Sequence, residues 1–191
     1  GLTTSAFQVS TTEGGSAVTT TGSQSGVHTG TSNPVLPTSY DAFRRLGSIV
    51  RTGAAIKAFT QDGDYFQWLT MVSDLNATNP GATAVTRTLT LPVGINIRAE
   101  INVAVIQGTN AISPIVGLTD LAVTDEAIGT TTSRFQATAP ANAATVAQHA
   151  AWQGYVRTNT AAQIRSRLSA SDANTELRIT TSGWIDRRGT D

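Results

Sequence analysis

The chain of 191 residues carries 13 basic and 13 acidic side chains, a formal net charge of zero, and only 14% charged residues against about 25% in an ordinary soluble domain. That balance lacks the basic footprint nucleic-acid binding requires, and the absence of cysteine excludes disulfides, Cys-based zinc sites and thiol catalysis. No window approaches the ~18 apolar residues of a membrane span, so no membrane insertion is expected. The polar surface must come from Thr, Ser, Asn and Gln, and frequent β-branched Thr suits a pleated sheet with one solvated face.

The chain opens on Gly1 rather than Met, as a processed, tagged or partial chain would. Residues 1–37 are rich in Thr, Ser and Gly, with isolated apolar positions such as Phe7, Val9, Val18 and Val27. Alone they bury too little apolar area to offset their ordering entropy. They read as an extended arm or short strands ordered by the downstream core or by a neighbouring subunit.

From Tyr40 the pattern tightens into a β domain spanning residues 38–191. Arg51-Thr52-Gly53 is a turn signal, after which Ile56, Ala58 and Thr60 alternate with Lys57, Phe59 and Gln61. Asp62-Gly63 is the strongest hairpin cue, because both residues tolerate positive φ, and a strand with Tyr65, Phe66 and Trp68 follows. Val85, Arg87, Leu89 and Leu91 alternate with threonines, and Pro92-Val93-Gly94 separates them from residues 95–106. In that second run Ile95, Ile97, Ala99, Ile101, Val103 and Val105 share one face, a long half-buried strand. The two runs are expected to pair as antiparallel neighbours. Residues 139–150 are the one place for a short helix, against which Pro140 and Asn142 argue. Strands are expected over 154–156, 163–168 and 176–185, with turns at Asn159-Thr160 and at residues 171–174. Roughly eight strands at this spacing predict an all-β fold, an antiparallel, jelly-roll-like β-sandwich.

Residues that carry chemistry are sparse. The two histidines, His28 and His149, lack a metal-ligand partner at helical or strand spacing, and no nucleophile elbow, phosphate-cradling loop or paired-histidine zinc motif occurs. Asp62 with Asp64, and Asp120 with Asp125 and Glu126, supply too few oxygens for calcium and read as solvated acids. Neither a catalytic residue nor a metal or other cofactor is expected, and the chain is not expected to be an enzyme.

Arginine is the dominant cation, since Lys57 is the only lysine. Arg44 and Arg45 are adjacent, as are Arg187 and Arg188, while Arg165 and Arg167 share one face of a predicted strand. The rigid guanidinium fork suits carboxylates or carbonyls across a subunit boundary, which makes Arg44, Arg45, Arg165 and Arg167 candidate interface residues beside the plainer reading of a solvated face. Of Trp68, Trp152 and Trp184, the last has the best neighbours for a sugar platform. Trp184, Asp186, Arg187 and Arg188 form a candidate glycan or interface contact, weighed against the commoner core role of sheet tryptophan.

The run from Leu36-Pro37 through Tyr40, Phe43-Arg44-Arg45 and Gly47-Ser48-Ile49 resembles a module of predicted tail-fibre and other virion proteins of tailed phages. Ala58-Phe59-Thr60-Gln61-Asp62-Gly63-Asp64-Tyr65-Phe66, Asn79-Pro80-Gly81, Arg87-Thr88-Leu89-Thr90-Leu91-Pro92 and the segment from Gln163-Ile164-Arg165 to Gly183-Trp184-Ile185-Asp186-Arg187-Arg188-Gly189 are similar to it as well. The resemblance runs from about Val35 to the end of the chain. It implies a structural or adhesive virion component, assembled in the host cytoplasm and carried on the extracellular particle. The leading expectation is a tail-fibre or receptor-binding protein that contacts a host-surface glycan or protein. The alternative is a capsid decoration or head-fibre protein that stabilises the shell. Fibre proteins are commonly symmetric oligomers, so a homotrimer is expected, docked to other virion proteins through the N-terminal arm.

Overall fold

The computed structural model describes residues 47–52, 55–108, 112–129, 131–132, 136–140 and 147–187. The predicted arm, half of the helix candidate (residues 141–146), and Arg44, Arg45 and Arg188 therefore lie outside the described residues. Eleven strands are described: β1 (Arg51–Thr52), β2 (Ala55–Ile56), β3 (Phe59–Asp62), β4 (Tyr65–Thr78), β5 (Val85–Thr88), β6 (Arg98–Gln107), β7 (Ile115–Thr119), β8 (Gln136–Thr138), β9 (Gln148–Arg157), β10 (Gln163–Leu168) and β11 (Thr175–Ile185). The count exceeds the expected eight partly because β1 and β2 form a ribbon of two residues each.

A five-stranded sheet, ordered β3-β4-β11-β6-β9, packs against a four-stranded sheet, ordered β5-β10-β7-β8. Every recorded pairing is antiparallel. The predicted all-β sandwich is what forms. Alternation explains it, because successive side chains of a strand point to opposite faces. On β6, Ala99, Ile101, Val103 and Val105 are buried, and on β10, Ile164 and Leu168 are buried while Arg165 and Arg167 lie half-exposed. The core joins these to Val116, Leu118, Leu177, Ile179 and an aromatic cluster at one end. There Trp184 stacks on Phe66 with centroids 5.0 Å apart and planes 9° off parallel, and Trp68 and Phe59 tilt against the same indole at 4.6 and 5.9 Å.

Turns sit where the residue types ask for them. Asp62 and Tyr65 pair across a two-residue loop, with Gly63 at its first central position and φ 58°, a backbone most side chains avoid. The Asn159 carboxamide oxygen accepts the amides of Ala161 and Gln163 at 3.0 and 2.8 Å, closing the β9–β10 corner. The Asp172 carboxylate does the same for Asn174 before β11, at 2.7 Å.

Two expectations need correction. The runs around residues 85–91 and 95–106 are not neighbours: β5 pairs with β10 in the four-stranded sheet, while β6 lies between β11 and β9. The connection crosses from one sheet to the other, with Leu89, Leu91 and Ile97 buried on the way and β6 starting only at Arg98. Asp74 pins this crossing, its carboxylate accepting the Thr90 amide and hydroxyl at 2.9 and 2.7 Å and a short hydrogen bond from Thr181. The helix candidate is also displaced, since residues 148–150 belong to β9.

Candidate functional site

The residues singled out from the sequence fall into two groups. Trp184 is fully buried and donates its indole N–H to Ser48 Oγ at 2.9 Å, so it offers no face to a sugar. It lies on the inward side of β11, opposite Ala99 and Phe66, where only the core is within reach. Asp186 is buried and Arg187 exposed at the end of that strand. The glycan contact centred on Trp184 is thus corrected to an aromatic core.

Arg165 and Arg167 lie on the outer face of β10, as their spacing predicts, but both are engaged within the chain. Arg165 Nη1 donates to the Val123 carbonyl at 2.6 Å, with its Nε 4.0 Å from Asp125, and Arg167 Nη1 stands 2.6 Å from the same carboxylate. The acid read as solvated is the clasp of residues 120–129 over the four-stranded sheet. A partner 42 residues away in sequence leaves no local signal. Among the described residues, no three His, Asp or Glu side chains converge as metal ligands would.

The polar constellation the sequence did not single out centres on Glu100. This residue sits on the outward side of β6, in register with Gly183 of β11 and Tyr155 of β9, yet is only 8% exposed. Its carboxylate accepts the Tyr65 hydroxyl at 2.5 Å and the Ser182 hydroxyl at 2.8 Å on Oε2, and the Tyr155 hydroxyl at 3.2 Å and the Gln153 amide at 3.3 Å on Oε1. Tyr65 reaches it from β4 because that strand runs close over Gly183, where a Cβ would stand 2.3 Å from the Phe66 carbonyl oxygen. A register shift between Thr181 and Gly183 accompanies the approach.

With four donors the carboxylate is saturated, so it acts as a fixed anchor rather than as a base. It sets the orientation of two phenols, and both titrate upward. Burial pushes the Tyr65 hydroxyl well above its ordinary range, and the hydrogen bond it gives Glu100 and that group's charge push it further. Burial, and then the charge of Glu100, raise Tyr155 in the same direction.

Around this anchor the outer face of the five-stranded sheet carries exposed apolar groups: Leu69 at 65%, Met71 at 58% and Tyr155 at 42% exposure. Asn102 contacts the Met71 sulfur at 3.7 Å and stands opposite Gln153. At the end of the sheet Arg98 and Arg157 are cross-strand partners. Arg157 pairs with Asp120 at 3.1 Å, and a cavity of about 320 Å³ opens beside them. Anchored phenols, amides and arginines thus share a partly apolar sheet face, a combination of groups common at surfaces that hold another molecule. Compared with known proteins, the chain matches no family profile and no curated sequence.

Proposed function

We propose that this chain is an adhesive structural component of a tailed-phage particle, a tail-fibre or receptor-binding protein that contacts the host surface through the outer face of its five-stranded sheet. The observation that carries this reading is that face itself. Leu69, Met71 and Tyr155 stand 65%, 58% and 42% exposed around a carboxylate that is only 8% exposed. Isolated surface apolars are ordinary, whereas apolar and aromatic groups gathered around a rigid polar anchor mark interaction surfaces. The resemblance of residues 35–191 to phage fibre modules supplies the setting, and the low charge and abundant Thr suit a particle protein held by packing.

Immunogold labelling of intact particles with antibody to this chain tests the reading. Label at the tail extremity is the expected result. Label over the head would replace it with capsid decoration. Unlabelled particles whose denatured protein still reacts with the antibody would overturn exposure on the particle altogether.

A further inference from the structure

We infer that Arg98, Tyr155 and Arg157, at the end of the five-stranded sheet, form a binding site for a carboxylate-bearing sugar. The inference rests on the adhesive reading above for its biological partner, but its geometry belongs to the isolated chain.

The first observation is a like-charge pair. Arg98 of β6 and Arg157 of β9 stand in register on one face of the sheet. Like charges directly opposite one another on neighbouring strands destabilise a sheet, and side chains so placed are within mutual reach. Asp120 offsets Arg157, at 3.1 Å. Arg98 is exposed and takes part in none of the ion pairs among the described residues. Glu100, two residues along the same face of β6, already accepts from Tyr65, Ser182, Tyr155 and Gln153 and has no acceptor site left to turn toward it. An anion lying between the two guanidinium groups would relieve the repulsion, and a planar carboxylate matches the guanidinium fork.

The second observation is the ring beside them. Tyr155 is two residues from Arg157 on the same face of β9, and its hydroxyl is tied to Glu100 at 3.2 Å while 42% of the residue remains open. A tethered aromatic face loses little freedom when a sugar ring stacks on it. Gln153 and Asn102 lie further along the two strands, where they meet sugar hydroxyls.

The third is size. The cavity lined by Arg98, Thr119, Asp120, Val123, Tyr155 and Arg157 measures about 320 Å³. That is at the small end of ligand clefts, which run from about 300 Å³ upward, and suits one or two sugar rings. A bare inorganic anion would leave the Tyr155 face unused. A nucleic acid would require a basic surface, and this chain has a net charge of zero.

The test is ligand-observed NMR titration of the purified full chain with 3′-sialyllactose against lactose, and trigalacturonate against its methyl ester. At least one acidic sugar should bind, its neutral counterpart should not, and added salt should weaken the contact. Replacing Arg98 by Gln removes one charge-assisted partner and should weaken binding roughly tenfold or more, with Tyr155→Ala at least as damaging. Arg178→Gln, on the same sheet but paired with Glu176 at 2.7 Å, should leave binding unchanged.

Equal binding of acidic and neutral sugars overturns the assigned role of the arginines. Binding of acetate or of a single-stranded oligonucleotide as tight as that of the acidic sugars overturns the sugar specificity. No binding of either acidic sugar, or binding unmoved by Arg98→Gln, overturns the site. Tail label on particles together with a failed titration leaves the adhesive reading standing without this ligand, whereas a successful titration with label on the head removes the adhesive role and keeps the site.

Discussion

Replacing Glu100 by Gln keeps the shape of the side chain, removes its charge and turns one acceptor oxygen into a donor. Two of its four hydrogen bonds are short, from Tyr65 at 2.5 Å and Ser182 at 2.8 Å, and those depend most on the charge. A hydrogen bond to a charged group contributes about 1.5–3 kcal/mol and a neutral one about 0.5–1.5, so the two together lose about 2 kcal/mol. Relief of the desolvation carried by a carboxylate only 8% exposed returns part of this, leaving a net loss of about 1–2 kcal/mol. For a chain of this size each kcal/mol lowers Tm by about 2–4 °C, so thermal unfolding followed by circular dichroism at neutral pH should show a drop of roughly 2–8 °C.

The pH dependence gives a second, independent readout. Tyr65 is held protonated in the folded chain above its ordinary value, so its contribution is fully present below about pH 10, where the unfolded tyrosine ionises, and is lost as pH rises beyond that. In Glu100→Gln the hydrogen bond to the carboxylate and its charge no longer raise the phenol, and only burial and the neighbouring Tyr155 still do. Tyrosinate absorbance should therefore appear at lower pH, and the stability gap between the two proteins should narrow above pH 10. An unchanged Tm together with an unmoved tyrosine titration would refute the account of Glu100 as anchor.

Gly183→Ala places a Cβ 2.3 Å from the Phe66 carbonyl oxygen and 3.1 Å from the Gln67 Cα, both backbone atoms of β4. The strand must move, and urea denaturation should show a loss of about 3 kcal/mol; a near-neutral result would mean that β4 does not run over this residue as described. Trp184→Phe loses the bond to Ser48 and empties part of the aromatic cluster, for about 2 kcal/mol by the same assay. Acidic-sugar binding by that variant should be intact, because Trp184 lies in the core, and a selective loss of binding would restore it as a ligand platform. Asp125→Asn removes the shared partner of Arg165 and Arg167; since Asp125 is 36% exposed, stability should fall by less than about 1 kcal/mol. Limited proteolysis within residues 120–129 should nevertheless quicken, and an unchanged cleavage rate would show that the bond from Arg165 to Val123 alone holds the segment.

Strand identity was legible where alternation marks it locally, but β7, a run buried at four successive positions, and the three-residue β8 carried no such mark and were not expected. The period-two run through Ala99, Ile101, Val103 and Val105 marks which side of β6 is buried, and the Asp62-Gly63 cue lies within one residue of the turn, whose two central positions are Gly63 and Asp64. Alternation names a face but not a partner. That is why β5 was expected beside β6 and instead pairs with β10, whose Gln163 stands opposite Thr88, 75 residues away. The same gap hid the anchor. Glu100 is one polar residue on an alternating strand until folding brings Tyr65, Gln153, Tyr155 and Ser182 to it from 35, 53, 55 and 82 residues away. Trp184 shows the reverse, since Asp186, Arg187 and Arg188 shortly after it suggested a surface site, while its neighbours in space are Phe59, Phe66 and Trp68. The residues by themselves determined an all-β chain and which face of its alternating strands is buried, because side-chain period and turn chemistry act over a few positions. Register and sheet order decided which polar groups share the open face, because those depend on pairings between strands that the chain brings together only when it folds.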